Sequence, residues 1–471
     1  MRTAGRRALL IVPPTGLYRR EDRCQSRVED PTVRVTLPPI HLAYIAASLE
    51  ARGVRCEVMD CPAEGTKADR LLEYLRASVP DVLVASTTAP TFPKDLQVVK
   101  KAKEAAPALE VVLLGNHLSL YGERVLEEEA SVDVIVVDAP EFLVAPLLTR
   151  GPSEQIPNLM YRDRSGTKRT RVELFLDYDL LPTPARRLLR NELYRIPDTG
   201  KPITVLEASR GCRGRCVFCP VARRRGGRVY TRSVPSAMAE IRECVGSFGI
   251  ETFLFNADNF TAERQWVIEF SKAIVASGLA IRWICNSRVD TVDEEMLMWM
   301  KRAGCSNIGF GVESGSQAML DRMKKGINLA QTREVFRKCR KVGITSHAFF
   351  LIGLPWETRE SLEETYRFAK TLPADFFDVH IAYPLPNTEF YEICIRDTLF
   401  VQPLAASSYA SPAIRSYALD AQELEKARKR MLLTLFLRPG YIARTLARAR
   451  SAGELKNYVL HAARKMRSIL S

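Results

Sequence analysis

The chain has 471 residues, too many for one hydrophobic core, so two or three domains are expected. Hydrophobic residues make up 46% and charged residues 26%, which excludes a disordered or fibrous chain. The formal charge of +14 comes largely from C-terminal segments such as KARKR and ARTLARARS, without the aromatic-rich basic motifs of RNA binders, and this argues against a nucleic-acid partner.

The start, MRTAGRRALLIVPP, has a basic lead, but ALLIV is too short for a signal-peptide core and meets Pro13-Pro14, so it reads as a first buried strand. No stretch is long and apolar enough to cross a bilayer, and the expected location is cytoplasmic. Eleven cysteines, an odd number, argue against a disulfide framework. Most, including Cys24, Cys56, Cys61 and Cys244, read as small buried apolar residues.

From residue 7 to about 150, strand-like and helix-like segments alternate. RALLIVPP, VRCEVMDC, DVLVASTTAP, LEVVLLGN and VDVIVVDAP are apolar runs, with helical spacing between them as in HLAYIAASLEARG and KDLQVVKKAKEAAP. Five such units predict a parallel, doubly wound sheet over 1–150, with ligands at the carboxyl ends of its strands. Those ends carry Pro13-Pro14-Thr15, Asp60-Cys61-Pro62, Thr87-Thr88-Ala89, Gly115-Asn116-His117 and Asp138-Ala139-Pro140, a small polar rim. Residues 151–200 are rich in Pro, Arg and Asp, with NLMYRDRSG hairpin-like, and read as a linker packing on both neighbours. Residues 201–390 supply six further strands, ITVLEAS, ETFLFNA, IRWICNS, SNIGFGVES, ITSHAFFLIG and FFDVHIAY, which suit a partial (β/α)6 barrel. The remainder, 391–471, reads as a helical, basic region. Its segment RMLLTLFLRPGYIARTLARARS reads first as a docking helix pair and leaves room for peripheral membrane contact.

The most informative stretch follows the first barrel strand: EASRGCRGRCVFCP. Cys212, Cys216 and Cys219 have the spacing C-x3-C-x2-C. Three thiolates so placed can hold three irons of a cubane and leave the fourth open, whereas a structural zinc would want a fourth ligand, usually from a second pair. Gly211 and Gly214 give the loop torsional freedom, and Phe218 can shield the cluster from water.

With this loop, the chain resembles the radical S-adenosylmethionine (SAM) enzymes. The resemblance implies a [4Fe-4S] cluster whose open iron is chelated by SAM, reductive cleavage of SAM to a 5'-deoxyadenosyl radical, and a reductant such as a flavodoxin or ferredoxin. LFNADNF resembles the segment where the backbone approaches the SAM amine, with Asn256, Asp258 and Asn259 facing the site. CNSRVD places Arg288 to pair with the SAM carboxylate. GFGVESGS resembles the ribose-binding segment, with Glu313 on the ribose hydroxyls and Ser314 and Ser316 nearby. A carboxylate at an apolar, Gly-rich strand end is costly unless it binds something.

The preceding sheet domain is similar to that of the cobalamin-binding members, through LPPIHLAYIAASLEARGVRCEVMD and SLYGERVLEEEASVDVIVVDAPE. This similarity implies cobalamin as a further cofactor, its nucleotide tail in the sheet domain. The Asp-x-His-x-x-Gly motif is absent. His117 stands in Gly-Asn-His where relatives often have Gly-Gly-Pro-His, and reads as a rim contact or a satisfied loop histidine. The implied reaction is methyl transfer to an unactivated carbon of a small-molecule or lipid substrate. The alternatives are a non-methylating radical oxidation, cyclisation or carbon–carbon coupling, and, in another class, a non-catalytic iron–sulfur or zinc module. No residue is assigned to chemistry on the substrate; His347, His380 and Tyr383 are the histidines and tyrosine at the last two strands.

Overall fold

The computed structural model describes residues 5–18, 20, 36–196, 199–404 and 407–446. They divide into two compact units, one running to Tyr194 and one from Arg195. Cys24 and residues 447–471, with most of the basic C-terminal segment, lie outside the described residues.

The first unit is built on a seven-stranded sheet: β1 (Arg7–Val12), β2 (Arg55–Asp60), β3 (Val82–Ser86), β4 (Glu110–Leu114), β5 (Val134–Val136), β6 (Leu159–Asp163) and β7 (Gly166–Arg169). The order is β2-β1-β3-β4-β5-β6-β7, with the first five parallel and the last two antiparallel. The central strands are apolar at every position because both faces are covered. Leu10, Val84, Val112 and Val134 lie in one row and pack under the helices Ile40–Glu50 and Pro140–Arg150. Leu9, Leu83, Val111 and Ile135 point the other way, towards the helices Ala68–Ser78 and Phe92–Ala105. Each such buried side chain contributes about 1.5–3 kcal/mol.

The expected linker differs. Its hairpin, NLMYRDRSG, is β6 and β7, which extend the first sheet from the edge of β5, and residues 151–194 belong to the first unit. The short edge strand β5 would otherwise leave its backbone groups unpaired.

The second unit holds β8 (Thr204–Glu207), β9 (Ser209–Gly211), β10 (Val229–Thr231), β11 (Thr252–Asn256), β12 (Arg282–Ser287), β13 (Cys305–Glu313), β14 (Thr345–Ile352) and β15 (Phe376–Ile381). Six of them form one all-parallel sheet, β15-β14-β13-β12-β11-β8, the expected partial barrel. Alternate residues separate its faces. Leu206, Phe255, Cys285, Ile308, Ala348 and Val379 pack outward into the helical layer. The opposite face carries Glu207, Asn256, Asn286, Gly309, His347 and Asp378, a polar set that faces the lumen.

The C-terminal region is helical only in part. After the helix Glu389–Arg396 comes a non-helical stretch, in which the Ile381 amide donates to the Tyr409 carbonyl at 2.9 Å. The helix Ala421–Phe436 then docks with Leu424, Met431, Leu432 and Leu435 in the barrel's outer core, and its buried Arg428 donates Nε to the Val379 carbonyl at 2.9 Å. These apolar residues of the RMLLTLF segment are thus spent on docking.

One buried acid at the end of β14 makes the barrel's stability pH-dependent. The Gly353 amide and the Ser361 hydroxyl donate to Glu357, yet burial pushes its carboxyl up to about 7 from an ordinary 4.5. Because the folded-state value is the higher one, the folded chain holds a proton that the unfolded chain releases. The stabilisation is complete below about 4.5 and is lost as pH rises through about 7, by about 3 kcal/mol in all. Melting temperature is expected to fall across this window, and Glu357→Gln to flatten that fall.

Candidate active site

The cysteine loop begins where β9 ends. Gly211 has φ 95°, and a Cβ there would lie 1.8 Å from the Arg228 carbonyl oxygen, so only glycine fits this pairing of β9 with β10. Asp258, after β11, accepts from the Gly211 amide at 2.7 Å and ties the start of the loop to the barrel. The middle is held from two sides: the Val217 amide donates to the Met323 carbonyl, and the Val217 carbonyl accepts from the Phe390 amide, both at 3.0 Å. Cys212, Cys216 and Cys219 are free thiols, Cys216 buried and the other two half-buried. Burial raises the Cys212 thiol, opposed by the Gly214 amide, 3.3 Å from its Sγ, and by the Arg288 guanidinium.

This donor set fits a cubane. Its three thiols lie on one loop, with the Gly214 amide at the Cys212 sulfur and the Arg288 guanidinium at the Cys216 sulfur. A [4Fe-4S] cluster takes one thiolate at each of three separate corners.

Arg288, expected on the SAM carboxylate, stands against the loop. Its Nη1 lies 3.6 Å from Cys216 Sγ, its Nη2 donates to the Lys325 carbonyl at 2.6 Å, and Asp290 takes Nε and Nη2 at 2.9 and 2.8 Å. Asn259 Oδ1 accepts from the Arg288 amide at 3.1 Å. Asn256 donates to Glu207 Oε1 at 2.9 Å on the lumen face.

Glu313 is the strained residue of the site. The register slips between Gly311 and Glu313, and Glu313 takes φ 64°, a conformation that costs a non-glycine residue about 1–3 kcal/mol. The bulge aims its buried carboxylate at Lys325, whose Nζ donates to Oε1 at 2.7 Å. A Cβ on Gly311 would lie 2.3 Å from Glu313 Oε1 and 2.7 Å from Lys325 Nζ, so glycine leaves room for the pair. Burial disfavours the Lys325 ammonium, but Glu313 and Cys216 outweigh it and hold the group above its ordinary value. Lys325 Nζ also sits 5.9 Å from the centroid of the Phe218 ring. Phe218 is half-buried against the core, as a shield for the loop requires.

Lys325 is the residue that sequence reasoning missed. It sits in MKKG beside a second lysine; Lys324 is exposed and pairs with Glu389, while Lys325 is 5% exposed. The signal was the buried Glu313, which required a partner.

Ser314 is not at the loop. Its Oγ pairs with Thr365 Oγ1 at 2.9 Å and accepts from the Ser316 amide at 3.1 Å, and Gly315 donates to the same threonine, so this turn fastens β13 to the helix Arg359–Thr371. These bonds fix the turn that carries Ser314 and Ser316 directly after Glu313.

In the first unit the strand order reverses between β1 and β3, where doubly wound sheets bind ligands. Thr15, Ser86, Thr88 and Thr91 line the strand ends there, and Arg20 bonds Thr15 Oγ1, Asp95 and the Ser86 carbonyl. His117 lies beside Thr87 and Phe92, 1% exposed, with neither ring nitrogen hydrogen-bonded. It is therefore not a satisfied loop histidine. Burial and Arg20 lower its pKa to about 3, so the ring is neutral. An unmet donor and acceptor between Phe92, Tyr121 and Thr87 suit a polar group of cobalamin.

The family models agree with both units. The radical SAM superfamily model matches residues 206–369 and the B12 binding domain model residues 31–147, together more than half of the chain. An uncharacterised methyltransferase of Pyrococcus horikoshii is 29% identical over 439 residues, covering 92% of each chain. The anaerobic magnesium-protoporphyrin IX monomethyl ester cyclase of Cereibacter sphaeroides is 28% identical over 401 residues, 82% of this chain and 65% of that one. The solved structure of OxsB, a cobalamin-dependent SAM radical enzyme with aqua-cobalamin and SAM bound, shares the fold with a TM-score of 0.74 at 17% identity, covering 99% of this chain and 72% of that one.

The chain belongs to the radical SAM superfamily, in the subgroup that carries a B12-binding domain. It is a radical SAM enzyme, and its cofactors are a [4Fe-4S] cluster, SAM and cobalamin. Enzymes of this kind act on small molecules and draw electrons from a donor. No helix among the described residues is long and apolar enough to cross a membrane.

Proposed function

We propose that the chain transfers a methyl group from SAM to an unactivated carbon of a small molecule. The observation that carries this reading is the joining, in one chain, of a loop of three thiols and a sheet domain that matches the B12 binding domain model. The methyltransferase likeness over 92% of the chain supports it.

When bound, the cluster supplies the electron that breaks the sulfonium carbon–sulfur bond of SAM, and cobalamin supplies a carrier for a methyl group. Cys212, Cys216 and Cys219 hold the cluster. Arg288 and Lys325 place two positive charges beside the thiolates, which offsets the negative charge of a reduced centre. Lys325 fixes Glu313, whose second oxygen is the acceptor for ribose hydroxyls, and Asn256 and Asp258 hold the neighbouring strand end. Phe218 excludes water from the loop. The reductant would be a flavodoxin- or ferredoxin-like protein, for which the chain's formal charge of +14 is suited.

The test is anaerobic reconstitution with iron, sulfide and cobalamin, followed by SAM and a reductant with candidate substrates. Methyl transfer yields S-adenosylhomocysteine together with 5'-deoxyadenosine; 5'-deoxyadenosine alone would refute it in favour of a non-methylating radical reaction. His117→Ala is expected to weaken cobalamin binding about tenfold, measured as corrin absorbance retained after desalting. Full retention would remove His117 from the rim.

A further inference from the structure

The lumen face of β14 and β15 carries a set of rings that the cofactor chemistry does not use. His347 and Phe349, two residues apart on β14, stack at 4.4 Å between centroids and 30° between planes. Phe349 and His380, across to β15, are near parallel at 6.4 Å and 26°. His380 meets Tyr409 edge-on at 5.3 Å and 67°, and Tyr383 lies 5.8 Å from Tyr409. Tyr409 comes from the non-helical stretch that hydrogen-bonds to the end of β15. His347, Phe349, His380 and Tyr409 are half-buried, so the column is lined up without being filled in.

Beside the column, His347 Nε2 stands 2.9 Å from Asp378 Oδ2 but off hydrogen-bond alignment. The inward positions of β14 and β15 hold no lysine or arginine. Arg288 and Lys325 are on the cysteine-loop side.

We propose that this wall is the substrate-binding slot and that its substrate is a flat, unsaturated ring system bearing an N–H group. The proposal rests on the radical reading of the barrel and deepens it by naming a substrate class. The column is closed by Phe376 beside His347 and by Tyr409 beside His380, and offers its ring edges along its side; ring edges attract the face of a π system and have little for a puckered saturated one. With no cation on the wall, an anionic head group finds no partner there. A carboxylate has lone pairs beyond those its partners in the fold take up, and Asp378, 5% exposed beside the His347 imidazole, is the acceptor on this wall for an N–H. The rings are also rigid, so ordering them on binding costs little entropy.

The test uses the full, anaerobically reconstituted chain and three probes of one skeleton: carbazole, which is flat with an N–H; fluorene, flat without one; and perhydrofluorene, puckered. Equilibrium dialysis should rank them in that order, with fluorene about tenfold tighter than perhydrofluorene. Phe349→Leu should weaken carbazole about tenfold, and Asp378→Ala, which removes the acceptor, should bring carbazole down to the affinity of fluorene. Both variants should still bind SAM and form 5'-deoxyadenosine without substrate, which separates a lost slot from a lost cofactor site. If Phe349→Leu does not fold, His380→Leu carries the same test from the neighbouring strand. Equal binding of flat and puckered probes, or carbazole affinity indifferent to these substitutions, overturns the proposal. Loss of S-adenosylhomocysteine formation with carbazole binding intact would instead overturn methyl transfer and leave the slot standing.

Discussion

Replacing Cys216 with alanine should abolish both the brown iron–sulfur absorbance of the reconstituted chain and every trace of SAM cleavage. The loss is expected to be complete rather than graded, because a cubane held at two corners has two labile irons and is readily lost to solvent. Cys216 is the most telling of the three positions. It is 8% exposed, lies against the Arg288 guanidinium, and belongs to a loop whose backbone is bonded to the rest of the barrel. Alanine there removes a thiol without disturbing these main-chain bonds, so the variant should fold, and its circular dichroism should match the parent. Retained 5'-deoxyadenosine formation in Cys216→Ala would end the assignment of this loop as the cluster site.

The second large effect is expected at Lys325. Lys325→Met keeps the length of the side chain and removes its charge, leaving the Glu313 carboxylate buried without its cation. Breaking such a pair costs about 3–5 kcal/mol, where removing both charges costs far less. The variant should lose stability by that order and bind SAM weakly, since Glu313 would turn or take up a proton. Adding Glu313→Gln should restore most of the stability but not the SAM affinity. That split separates a structural ion pair from a binding residue: if the double variant regained SAM binding, Glu313 would have no part in the ribose contact. The backbone at Glu313 argues for the binding role. A left-handed non-glycine residue at a bulge is retained where its side chain must be aimed.

How much of this could be read from the chain alone depends on how local each feature is. The parallel strands announced themselves as apolar runs such as LLIV, VLVAS and VVLL, because strands covered on both faces need no polar alternation. The cysteine loop was legible for the same reason of locality, its three thiols falling within eight residues. What escaped depended on distant partners. The hairpin 159–169 was visible as a hairpin, but its place on β5 is set by an edge that the sequence pattern does not mark. Ser314 and Glu313 are neighbours in one motif, yet a bulge sends one carboxylate to Lys325 and one hydroxyl to Thr365. Lys325 is told from its neighbour Lys324 by its partner Glu313, and Tyr409 lies in a segment without periodicity, so only the folded chain brings it to His380.

The two main-chain bonds at Val217 decide how the loop behaves without its inorganic core. Its midpoint is anchored to segments far downstream by bonds that involve neither iron nor sulfide, whereas a zinc finger folds around its metal. A preparation bleached by air should therefore keep its melting profile and regain colour on simple chemical repair, and handling history should appear in its spectrum long before it appears in its solubility.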